Sequence, residues 1–132
     1  MLLAGCGGGK PALTLPPAPK LKCPPPAAVK RQLARLKRDI TVLRRVSNTV
    51  PPSAMPNGNA AVARATNRFL LDESTSGVGI YVRSRFIDTA AAIVNVVCRP
   101  CWNSLEANRP FGGTGPTFRN EPLDCTQARG RD

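Results

Sequence analysis

The sequence predicts an α+β protein with a proline-rich extended N-terminal arm, one basic heptad helix, and a small domain with a short helix and two or more strands. Three observations lead there. Prolines and glycines crowd the first 27 residues. Apolar residues then alternate at spacings of four and three from Val29 to Leu43. Farther on, VGIYVRSRFI (78–87) and AAAIVNVVC (90–98) are rich in β-branched or aromatic residues, the composition of strands. The expected organisation is a Gly/Pro-rich anchor or arm over residues 1–27, a basic amphipathic helix over 28–48, a linker over 49–58, and a small α+β domain over 59–132 with a loop-rich C-terminus.

Each element has its own physical reason. Proline fixes φ and removes a backbone donor, so LPPAP and CPPP predict an extended, polyproline-like arm. The helix carries an internal repeat: VKRQLAR, LKRDITV and LRRVSNT begin seven residues apart, at Val29, Leu36 and Leu43. Val29, Leu33, Leu36, Ile40 and Leu43 therefore form a coiled-coil seam. Two bases follow the seam residue in each repeat, as Lys30-Arg31, Lys37-Arg38 and Arg44-Arg45. The first of each pair flanks the seam and the second lies farther out. PPSAMPNG (51–58) breaks the chain, with turn chemistry at Asn57-Gly58. Asn59 is a candidate cap for a helix over 60–72 that turns Val62, Ala65, Phe69 and Leu70 inward. Ser74 to Gly77 reads as a turn before the two strands. After Cys101 the sequence predicts mostly loop, with Gly112-Gly113 and Gly115-Pro116 as breakers.

Charge is concentrated in one segment. The chain carries 19 Lys and Arg against 8 acids, for a net +11. Residues 20–50 hold nine bases and the single acid Asp39, a net +8. Such a patch attracts an anionic partner. In a parallel homodimer the bases flanking the seam would meet Gln32, Asp39 and Val46, of which one is acidic. In an antiparallel homodimer they would face one another. The pattern therefore predicts an acidic or helical protein partner, or an anionic surface. The contact would run through Val29, Lys30, Arg31, Leu33, Leu36, Lys37, Arg38, Ile40, Leu43, Arg44 and Arg45. The competing reading packs the seam on the chain's own domain and leaves only the bases outside. The chain has no histidine, which removes the commonest general base and metal ligand. The expected function is non-enzymatic, with no cofactor and no metal.

The chain has five cysteines. Cys23, Cys98, Cys101 and Cys125 are disulfide candidates, and their connectivity cannot be read from sequence. Pairing Cys125 with Cys98 or Cys101 would staple the loop-rich C-terminal part. Cys98-Arg-Pro-Cys101 is similar to a thioredoxin-type redox motif. The residues after it are rich in Gly and Pro and do not carry the rest of that fold, so a structural disulfide is favoured over redox chemistry or zinc.

Leu3-Ala4-Gly5-Cys6 resembles the lipobox of bacterial lipoproteins, and Gly7-Gly8-Gly9 resembles the tether that follows it. The resemblance implies lipidation at Cys6, membrane contact only through that lipid anchor, and residence on the periplasmic face of the outer membrane. Only Met1 and Leu2 precede the box, so an upstream start with a basic segment and ~10 apolar residues is expected. Cys6, the proline-rich arm and Cys23-Pro24-Pro25-Pro26 together resemble the outer-membrane spanin lipoproteins of phage lysis. That resemblance implies a coiled-coil partner and a Cys23 crosslink between two copies. The leading expectation is therefore an envelope lipoprotein, with phage origin included, that acts in anchoring or assembly. Two alternatives place the protein in the virion or cytoplasm. One is a virion structural or assembly protein that contacts neighbouring subunits in an oligomeric array. The other is a nonspecific nucleic-acid-binding protein that uses residues 30–45; no aromatic residue lies among residues 1–68 to stack on bases.

Overall fold

The computed structural model describes residues 23–109 and 124–127. Residues 1–22 of the expected arm, Cys6 among them, and the Gly112–Pro116 breakers lie outside the described residues, while Pro26 and Ala27 of the expected arm already belong to the first helix. The described residues form four α-helices: α1 (Pro26–Ser47), α2 (Ala60–Ser74), α3 (Ile80–Val94) and α4 (Arg99–Ala107). Short 3-10 turns occur at Pro52–Ala54 and Cys125–Gln127. No strand is present among the described residues, apart from one isolated bridge between Asn57 and Cys98. The expected α+β class is therefore incorrect, and the described fold is all-helical.

Both predicted strands prove to be helical or turn. Residues 78–87 and the start of 90–98 merge into α3. Of its buried residues, Ile80, Ile87, Ala90, Ala91 and Val94 recur at helical spacing and make one stripe, and Val82 is buried off it near the N-terminus. Asp88 and Thr89, which interrupt the two apolar runs, lie on the exposed face of that helix. Ala90 to Ala92 add strong helix propensity that the β-branched residues obscure. The expected loop after Cys101 is also incorrect as far as Ala107. Pro100 sits in the first turn of α4, where a missing N–H costs nothing, and Cys101 and Leu105 turn inward four residues apart.

Other elements follow the expected physics. Proline at the first position of α1 needs no donor, and the Pro25 carbonyl accepts from the N–H groups of Ala28 and Val29. Arg44 and Arg45 sit in the last turn, where cations complement the helix dipole. Asn59 caps α2: its Oδ1 accepts from the Val62 N–H at 2.9 Å. Gly58 has φ +72°, and a side chain there would collide with Cys98.

The helices share one core. Leu36 and Leu43 of α1 join Val62 and Phe69 of α2, Ile87 and Val94 of α3, and Leu105 of α4, all fully buried. Burying each such side chain contributes ~1.5–3 kcal/mol. The α1 helix packs mainly on α2 and also on α3, while α3 packs on α4. The seam is thus spent within the chain. Val29, Leu36, Ile40 and Leu43 are buried and Leu33 is half-buried.

A paired charge also enters this core. Glu73 at the end of α2 is 1 % exposed and meets Arg83 Nε of α3 at 2.7 Å. Burial raises the Glu73 pKa, and the Arg83 guanidinium opposes that rise. Arg83→Ala is expected to cost about 2–4 kcal/mol, because it strands a buried carboxyl. The cost should fall somewhat below that of a fully buried pair, since 25 % of the Arg83 side chain stays in solvent. Chemical denaturation checks this value. The double change Glu73→Leu with Arg83→Met should recover most of the loss.

Candidate anion-binding surface

A helix advances about 100° per residue, so α1 sorts its residues into an inner face and two flanks. With the seam turned inward, all seven of its bases are exposed: Lys30, Arg31, Arg35, Lys37, Arg38, Arg44 and Arg45. None of the seven forms an ion pair with another described residue. Lys30, Lys37 and Arg44 share one flank of α1. Arg35 and Arg38 occupy the other flank, toward α2.

That second flank is a feature the heptad reading missed. Arg35 and Arg38 line a cleft of about 440 Å³ between α1 and α2, together with Arg68 of α2. Two carboxyl groups lie in the same wall, Asp39 of α1 and Asp72 of α2. Asp39 is 7 % exposed, and its Oδ2 has no hydrogen-bond partner. Burial lifts its pKa to about 7, helped by the hydrogen bond and the charge of Asp72 and opposed by Arg38 and Arg68. Asp39 is therefore partly protonated near neutral pH, and the three guanidinium groups outnumber the two carboxyls in the cleft. A recognisable signal existed in the sequence: Arg64 and Arg68 repeat at i and i+4 on α2, the spacing of one helix face.

The expected contact set is thereby divided. The apolar members Val29, Leu36, Ile40 and Leu43 lie under the other helices and present nothing to a partner. The charged members remain outside. Arg38 joins the cleft, whereas Lys30, Lys37 and Arg44 do not.

The four candidate cysteines form two disulfides, Cys23–Cys125 and Cys98–Cys101. The suggested pairing of Cys125 with Cys98 or Cys101 is thus corrected, because Cys98 and Cys101 are already joined within the first turn of α4. Cys23 pairs within its own chain, where the spanin resemblance implied a link between two copies. Cys125 is held further by its N–H, which donates to the Val78 carbonyl at 2.7 Å. Cys98 precedes α4, and its Sγ accepts from the Cys101 N–H at 3.2 Å. Both cysteines of this pair are buried, and Gly58 packs over Cys98. The C-x-P-C segment therefore braces the start of α4 against the Asn57-Gly58 turn. Trp102 lies half-buried against the core, with the Arg99 guanidinium 5.2 Å from its ring centre.

Among the described residues, no group of three or more acids or cysteines could hold a metal ion. No described helix is long and apolar enough to cross a membrane. The chain matches no protein-family model, no curated protein and no solved structure.

Proposed function

We propose that this protein is a non-enzymatic anchoring or assembly module of the bacterial envelope, with phage origin included. In this reading it is tethered through Cys6 and engages an anionic surface with the bases of α1. The observation that carries the reading is the separation of seam and charge. Seven bases face outward without ion pairs to other described residues, on a helix whose apolar side is buried in its own fold. A solvated face needs no such one-sided accumulation, and a partner helix would find no free seam to pack on. An anionic surface asks only for exposed, unneutralised cations. Two disulfides agree with an oxidising compartment such as the periplasm. Nucleic acid suits the charge equally well but draws no further support, since the described basic helix carries no stacking residue.

Adsorption to lipid vesicles tests the reading. The protein should sediment with vesicles containing phosphatidylglycerol and not with purely zwitterionic ones. Binding should weaken steeply as salt rises toward ~0.5 M, where screening shortens to a few ångströms. Equal binding to both kinds of vesicle, or none to either at low salt, contradicts it.

A further inference from the structure

We propose that the cleft between α1 and α2 binds the phosphate monoester head of an amphiphilic anion. Arg35, Arg38 and Arg68 surround the phosphate, while Val42, Val46 and Leu71 follow its apolar chain. The inference goes beyond the surface reading above, because Lys30, Lys37 and Arg44 do not line the cleft.

Three observations carry it. The first is charge. Arg35, Arg38 and Arg68 line one cleft with only two carboxyls, Asp39 and Asp72, so cations outnumber acids there. Planar guanidinium forks are suited to phosphate oxygens. The second is an unsatisfied atom. Asp39 is more than nine-tenths buried, yet its Oδ2 in the cleft wall lacks a partner. Buried polar atoms are normally satisfied, and a bound phosphate oxygen would accept a hydrogen bond from the protonated carboxyl. The third is shape. The cleft shares Val42, Ala65 and Arg68 with a wider trough of about 610 Å³. Leu71 in that trough is 56 % exposed, a large apolar side chain left open beside cations. A phosphate alone would use only the charged end, and an uncharged lipid only the other.

Calorimetric titration of the whole chain with dodecyl phosphate, glycerol 3-phosphate and dodecyl maltoside tests the site. Dodecyl phosphate should saturate one site. Glycerol 3-phosphate should compete for it at least about ten-fold more weakly, having no chain to bury. The uncharged maltoside should not compete. Arg68→Gln should weaken both phosphates at least about ten-fold, whereas Leu71→Asn should weaken only dodecyl phosphate. Circular dichroism of both variants should match the parent, since both positions are exposed.

A pH comparison adds an independent readout. Arg35, Arg38, Arg68 and Asp72 are the charged groups that face Asp39 in the cleft. Its proton is retained below about 7 and lost above, where a second carboxylate charge would repel the ligand. Asp39→Asn should therefore match the parent at about pH 5.5 and bind at least about five-fold more tightly at about pH 8.5. The proposal is overturned by the absence of saturable phosphate binding, by equal binding of the maltoside, or by an Arg68→Gln variant that binds normally. Equal affinity for glycerol 3-phosphate overturns the amphiphile assignment. Reversing Lys30, Lys37 and Arg44 should leave dodecyl phosphate binding within about two-fold, so failure of the stripe and failure of the cleft are told apart.

Discussion

Leu36→Ala should lower the stability of the folded chain by about 3–5 kcal/mol, a large share of what a domain this size possesses. Leu36 is fully buried near the middle of α1, in the core shared by all four helices. Removing its outer carbons loses their transfer free energy and leaves a cavity that close-packed neighbours fill only in part. Alanine is the best helix former, so the loss cannot come from local helix propensity. Urea denaturation followed by far-UV circular dichroism should show a lower midpoint with an unchanged slope. Leu33→Ala, at the half-buried seam position, should cost clearly less. A seam reserved for an external partner would leave the free protein indifferent to either change.

Replacing Cys23 and Cys125 together by serine should cost about 2–5 kcal/mol. The bridge spans 102 residues and ties the entry of α1 to the C-terminal turn. Such a link removes many conformations from the unfolded chain, and in the chain-entropy account a loop near 100 residues contributes ~4.7 kcal/mol. The Cys98–Cys101 bridge closes only a few residues, so its removal should cost distinctly less. Thermal unfolding with and without reductant checks both values. Reductant should lower the parent's midpoint and change the Cys23/Cys125 variant far less.

Helices with clear local grammar were legible in the sequence. The four–three spacing defined α1 within two residues at its start and one at its end. Asn59 and the Val62, Ala65, Phe69 spacing identified α2. The α3 helix was misread because Val78, Ile80, Tyr81, Val82, Phe86 and Ile87 have strand-like composition, while the helical stripe emerges only when residues 80–94 are taken as one segment. Tertiary burial overrode local preference there. The α4 helix was hidden by Cys98-Arg-Pro-Cys101, which reads as a motif before it reads as a first turn. Disulfide pairing depends on which chain segments meet, and spacing alone does not say that Cys23 reaches Cys125. The cleft depends on two helices at once. Asp39 looked like an exception within a basic stripe, and nothing in the spacing of Asp72 pointed to it. Only the packing of α1 on α2 joins them.

The central claim is that the bases of α1 act through their charge, on a scaffold that does not need them. The most direct measurement compares the parent with a variant in which Lys30, Lys37 and Arg44 are all glutamate, on vesicles containing phosphatidylglycerol. All three positions are exposed, and glutamate has nearly the same helix propensity as the residues it replaces. The account predicts at least about a ten-fold loss of vesicle binding, because the reversal changes the local charge by six. It also predicts an unchanged far-UV spectrum and a denaturation midpoint shifted by no more than ~1 kcal/mol equivalent. Undiminished binding by the variant would contradict the account and reduce the basic stripe to a solvated face.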